Sequence, residues 1–142
     1  MFFFGCGLNS HRNKIKPTAK NQNIDYLINQ GKLLWEQRID SLALEKAEHF
    51  INLAYEQRQD DFELSILHSK ISFTQAYFFE DKISKQDSLF LQGSRTAKKA
   101  IMIHKEFVPI YNISKGDSAF KLLSAVANAP ISIVPGLYWW GV

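Results

Sequence analysis

The sequence predicts an all-α protein built from consecutive antiparallel helical hairpins, stacked as a degenerate tetratricopeptide-like solenoid. Three observations lead there. Apolar residues recur at three- and four-residue intervals from Ile24 onward. Acidic or serine-led segments precede most of the periodic stretches, as helix N-caps do. No segment alternates polar and apolar residues for long enough to make a strand. A chain of 142 residues suffices for one domain, burying about two-thirds of its unfolded surface, and is too short for two. A hydrophobic content of 46% with 13% aromatics excludes a disordered chain.

The first helix is expected through Ile24, Leu27, Ile28, Leu34 and Trp35, closing at Arg38. Asp40 or Ser41 caps a second, in which Leu44, Ala47, Phe50 or Ile51, and Ala54 form one apolar stripe with Glu45, Glu48 and Gln57 opposite. Asp60-Asp61-Phe62-Glu63 reads as a carboxylate cap opening a third helix through Leu67, Ile71, Phe73 and Ala76 to Phe78. Ser84-Lys85-Gln86-Asp87 reads as the cap of a fourth, through Leu89, Phe90, Gly93, Ala97 and Ile101. Lys115-Gly116-Asp117 separates it from a fifth, Ala119 to Ala127. Pro130 and Pro135 then delay a sixth until after Pro135.

Ala47, Ile51 and Ala54 carry the small-large-small spacing that lets paired helices approach closely in tetratricopeptide repeats. Gly93, Ala97 and Ala100 repeat it, with His104-Lys105-Glu106-Phe107 as the turn ending the unit. The offset exceeds the usual ~34 residues because of the loop at 80–86.

Catalytic chemistry is not apparent. His11, His49, His68 and His104 are far apart and form no metal-binding pair. Asp60/Asp61 and Glu80/Asp81 fit helix N-termini better than paired-acid catalysis. Gly116 makes no phosphate loop, and no serine sits in a nucleophile elbow. Arg95, Lys98 and Lys99 share a face that reads as solvated. Lys and Arg number 17 against 14 acidic residues, and the resulting +3 gives no case for nucleic-acid binding. The expectation is a non-enzyme with no cofactor and no metal. The aromatics Trp35, Tyr77, Tyr138 and Trp139 instead suggest a concave contact surface, with Arg38 supplying a fork for a carboxylate. The competing reading makes them core filler, although Tyr138-Trp139-Trp140 point in three helical directions and cannot all face one core.

At the start of the chain, Phe2-Phe3-Phe4-Gly5-Cys6-Gly7 resembles the end of a bacterial lipoprotein signal, with Gly5 before the cut and Cys6 as lipid acceptor. Phe3 stands where Leu or Val is usual, and the basic start and most of the apolar stretch are missing. Residues 1–6 are thus expected to be a signal remnant with its acceptor cysteine, 7–22 a polar tether bearing Arg12, Lys14, Lys16 and Lys20, and 23–142 the helical-repeat domain. The aromatic run that closes the chain has nothing downstream to cover it, so the chain is expected to be a piece of a longer reading frame. The single cysteine allows no internal disulfide and suits cytoplasm or periplasm alike. No apolar run approaches the ~20 residues of a membrane-spanning helix.

Several segments together resemble the helical-repeat lipoproteins that accompany tripartite ATP-independent periplasmic (TRAP) transporters, the T component or TatT. They are Gly5-Cys6, Leu34-Trp35-Glu36-Gln37-Arg38, Ala76-Tyr77-Phe78-Phe79, Gly93 with Ala97 and Ala100, and Val134-Pro135-Gly136-Leu137-Tyr138-Trp139-Trp140-Gly141. The resemblance implies a periplasm-facing lipoprotein that meets the transporter's substrate-binding protein and helps take up organic ligands, with no catalytic residues. It leaves open which membrane carries the anchor and whether the protein forms homo-oligomers. The alternatives are a tetratricopeptide scaffold lipoprotein for envelope or pilus assembly, holding a peptide in a groove, and a cytosolic adaptor if Met1 is the true start.

Overall fold

A computed structural model describes residues 19–141, which are helical apart from short connections and contain no strand. The helices are α1 (Ala19–Trp35), α2 (Ser41–Gln57), α3 (Phe62–Phe78), α4 (Ile83–Ile103), α5 (Phe107–Ile113), α6 (Ser118–Ala127) and α7 (Val134–Gly141), with a 3₁₀ turn at Ile131–Ile133 before the last. The all-α class expected from the sequence is the one observed.

Local chemistry sets most of the boundaries. Asp40 caps α2 by accepting a 2.8 Å hydrogen bond from the Leu42 amide. Asp61 does the same for α3 with the Leu64 amide at 3.0 Å, and Asp117 for α6 with the Phe120 amide at 3.2 Å. Each carboxylate also sits at the positive end of its helix. Gly116, with φ +113°, makes the left-handed turn before α6 that a side chain would strain. Pro109 and Pro135 fall in the first turns of α5 and α7, where an amide has no intrahelical acceptor to lose.

α1 packs along α2, α2 along α3, and α3 along α4, while α7 folds back onto α4 and α3. α3 is therefore the central helix, and it is buried on nearly every side, including Ser65, Ser69 and Ser72. Their hydroxyls return to the helix: Ser65 donates to the Asp61 carbonyl at 2.8 Å and Ser72 to that of His68 at 3.1 Å. Ser69 donates to the Ser65 carbonyl and, at 2.9 Å, across to the carbonyl of Gly93 on α4. A β-carbon at Gly93 would lie 2.9 Å from the Phe73 ring and 3.2 Å from the Ser69 carbonyl, so α3 and α4 meet backbone to backbone there. Gly31 of α1 instead makes room for a side chain, since a β-carbon there would collide with the Ile51 side chain of α2.

Two cores result. Ile24, Leu27, Leu44, Ile51, Leu64 and Ile71 centre the first, between α1, α2 and α3. Phe107, Ile101, Ala125 and Ile133 centre the second, with Phe62, Leu137 and Trp140 packed against it. The α7 end is also tied to α4 by the Ser94 hydroxyl, which donates to the Trp140 carbonyl at 3.0 Å.

Several expected boundaries move. Residues 19–22, assigned to the tether, form the first turn of α1, and α1 ends at Trp35, with hydrogen-bonded turns continuing to Arg38. Ser84 is not a cap: α4 begins at Ile83 after Lys82, and the Glu80 carboxylate accepts from the Lys82 amide instead. The segment after His104 is a turn of two residues followed by a further helix, α5, that periodicity does not separate. α7 starts at Val134, ahead of Pro135. Cys6, the signal remnant and most of the tether lie outside the described residues.

The small-large-small register of α2 is observed, with Ala47, Ile51 and Ala54 all fully buried. Glu48, expected on the solvated face, is half-buried between α2 and α3. Burial pushes its carboxyl above the usual range, opposed by hydrogen bonds from Gln75 and Asn52. Ala47→Leu should overpack the α1–α2 contact and cost ~1–3 kcal/mol in a urea melt, while exposed Lys46→Gln should stay within about 0.5 kcal/mol. Equal shifts in the two variants would place Ala47 outside that contact.

Candidate aromatic groove along the third helix

One face of α3 carries Ile66, Lys70, Phe73, Thr74 and Tyr77, which helical geometry sets opposite His68 and Gln75. Three cavities run along it. The first, about 380 Å³, lies between α1 and α3 and is lined by Trp35, Leu33, Ile66, Leu67 and Lys70. The second, about 360 Å³, is formed by Arg38 and Ile39 of the α1–α2 turn with Thr74, Phe78 and Phe79. The third, about 260 Å³, is lined by Phe73, Thr74, Tyr77, Phe78, Phe90 and Trp139, so Thr74 and Phe78 are shared with the second.

The five residues singled out in the sequence come from three separated segments, and the fold brings Trp35, Arg38, Tyr77 and Trp139 to this face, whereas Tyr138 lines none of the three cavities. Trp35 is partly buried against the first core, and Arg38 lies over its ring, 4.8 Å from the centroid. One guanidinium nitrogen of Arg38 donates to the Trp35 carbonyl at 3.2 Å, and the side chain stays exposed. Tyr77 is 73% exposed beside Phe78, at a ring separation of 4.9 Å. Trp139 packs at 5.6 Å on Phe73, which also meets Phe90 at 5.5 Å. Tyr138, largely exposed, stands edge-on to Trp139 at 5.0 Å.

The choice between core and surface thus divides by residue. Trp35 is part of core packing, Trp139 forms a groove wall, and Tyr77 and Tyr138 face outward. Trp140 belongs to the second core, with Lys98 5.2 Å above its ring. Lys99 is engaged by Gln59, so both lysines of the basic face of α4 have partners within the chain.

Phe73, Thr74, Phe78, Phe90 and Ile39 were not singled out as site residues. The signal for Phe78 was present in the sequence, since Tyr77-Phe78-Phe79 at a helix end cannot all face one core. Ile39, 94% exposed, and Phe78, 69% exposed, make an open apolar surface of the kind that marks contact sites.

Arg38 is the charged group of the second cavity, and Thr74 is the polar one shared with the third. The arrangement can cover an apolar body and pair one anionic group, which is binding rather than bond-breaking chemistry. Among the described residues no group of three or more His, Cys, Asp or Glu side chains could hold a metal ion, and no single helix is long and apolar enough to cross a membrane. No family model, no curated protein and no solved structure matches the chain.

Proposed function

We propose that the protein is a non-catalytic binding module, a periplasm-facing lipoprotein accessory of a tripartite ATP-independent transporter, anchored through Cys6. In this reading the aromatic face of α3 meets the substrate-binding protein or an apolar organic ligand. The observation that supports it most is the convergence of Trp35, Arg38, Tyr77 and Trp139 on one face of α3, around cavities lined in part by exposed aromatics. Aromatic side chains offer large contact area at low entropic cost, and the exposed Arg38 guanidinium has further donors with which to pair a carboxylate. The transporter assignment comes from the sequence resemblance.

The test is a calorimetric titration of the full-length protein against the substrate-binding protein encoded beside it, comparing wild type with Trp139→Ala and Tyr77→Ala. Loss of an aromatic anchor should weaken binding by ~2 kcal/mol or more, roughly thirtyfold. Circular dichroism establishes that both variants fold. Wild-type affinity in both would move the contact surface elsewhere, and a gene neighbourhood without transporter components would favour the envelope scaffold.

A further inference from the structure

The segment formed by α6, the 3₁₀ turn and α7 carries two series of apolar side chains. Leu122, Ala125, Val126, Ile133, Leu137 and Trp140 turn inward, onto the second core. Phe120, Leu123, Ala127, Ile131, Val134 and Tyr138 recur between them at three- and four-residue steps, and all six are exposed, Ile131 to 88% and Phe120 to 68%. A helix on the outside of a domain ordinarily turns charged residues to solvent. From Ser118 to Gly141 there is no carboxylate and one cation, Lys121, which lies 4.8 Å over the Tyr111 ring. The one side-chain amide of the stretch, that of Asn128, donates back to the Ser124 carbonyl at 2.9 Å.

α6 and the segment Ile131–Gly141 are together long and apolar enough to cross a bilayer, yet they meet at a bend of 113°. α6, with its 10 residues, rises only about 15 Å, half of a hydrocarbon core of ~30 Å. The inner series is committed to the second core, so lipid cannot surround the pair and can only lie against the outer series. The flanking charges suit the surface of an anionic bilayer. Lys105 and Lys115 are exposed, whereas the two carboxylates of the stretch before α6 are both engaged, Glu106 by the Ser132 hydroxyl and Asp117 by the Phe120 amide. A symmetric dimer through this face would set its lysines against each other with no unengaged carboxylate in the stretch to answer them. Tyr138, 63% exposed and edge-on to Trp139, has the ring and hydroxyl that favour the headgroup level of a membrane.

We propose that the bent α6–α7 pair is a lipid-contacting surface, which lays its outward apolar series into the headgroup and upper acyl region of an anionic bilayer. Phe120, Leu123, Ile131 and Val134 supply the buried area, and Lys105 and Lys115 pair with lipid phosphates. The side chains enter without unpairing a backbone group, since the helices keep their own hydrogen bonds. The contact needs no acyl chain, so it depends neither on Cys6 nor on the aromatic face of α3.

The test is co-sedimentation of the full chain, carrying Cys6→Ser so that no acyl chain contributes, with vesicles of equal parts phosphatidylcholine and phosphatidylglycerol and with vesicles of phosphatidylcholine alone. The expected result is binding to the mixed vesicles, at least fivefold weaker binding to the neutral ones, and a loss of at least tenfold in Leu123→Glu and in Ile131→Glu. Both positions are exposed, so either variant keeps the second core, and circular dichroism checks that it does. Ile39→Glu, at an equally exposed site on the aromatic face, should bind as the parent does. No binding to the mixed vesicles, equal binding to the two kinds, or undiminished binding in both glutamate variants would overturn the proposal. A dimer that Leu123→Glu dissociates, in a chain that ignores vesicles, would give this face to a second copy instead.

Discussion

Phe107→Ala is expected to lower the unfolding free energy by about 3–5 kcal/mol. The ring is fully buried at the centre of the second core, packed against Ile101, Ala125 and Ile133. Truncation removes its transfer free energy and leaves a cavity where α4, α5 and α6 meet, which cannot close without moving a helix. Such a loss is a large part of the roughly 5–15 kcal/mol that holds a typical domain together. Phe120, on α6 and 68% exposed, is the comparison: Phe120→Ala should stay within about 0.5 kcal/mol. Urea midpoints at constant m-value give both numbers, and a Phe107→Ala shift no larger than that of Phe120→Ala would mean that the second core does not close around this ring.

The second large effect is a pH dependence centred on His68. Burial lowers its pKa from 6.5 to about 4, because the charged imidazolium has lost its water. The folded imidazole therefore stays neutral over a range in which the unfolded one takes up a proton. Between pH 6.5 and about 4 the unfolded state binds more protons, so stability is full above pH 6.5, falls as the pH drops, and levels off below about 4. From about pH 7.5 to about pH 4.5 the loss from this one group is about 2–3 kcal/mol. His68→Gln removes the titration while keeping a neutral polar side chain against Tyr55. The difference between the two proteins in denaturant melts at those pH values isolates the effect from the titrating carboxylates. Parallel pH profiles for wild type and His68→Gln would show that the imidazole is solvated.

Features that depend on neighbours along the chain could be read without the fold. Asp40, Asp61 and Asp117 can stop a chain from extending and start a helix because each carboxylate needs only an amide two or three residues on. The apolar stripe of α2 was legible for the same reason, since a 3.6-residue period identifies the buried side whatever lies against it. The α4 start was misread because Ser84-Lys85-Gln86-Asp87 has capping composition, whereas Glu80 already served that turn from outside the pattern. α5 went unseparated because its seven residues are too few to show a period.

Which side chains share a surface was settled only by the packing of one helix on another. α3 has no clear polar side in sequence because α2, α4 and α7 all cover it, and its aromatic groove exists only once those helices are in place. Glu48 sits on the polar side by periodicity, yet Gln75 of the next helix draws it inward. Trp35, Tyr77 and Trp139 were each visible as aromatics, but their exposure depends on partners far along the chain: Trp35 is partly covered by the first core, whereas Tyr77 is left open. Hydrogen bonds within one turn and periodicity along one helix are properties of consecutive residues; burial and convergence are properties of the packing between segments, which no local pattern specifies.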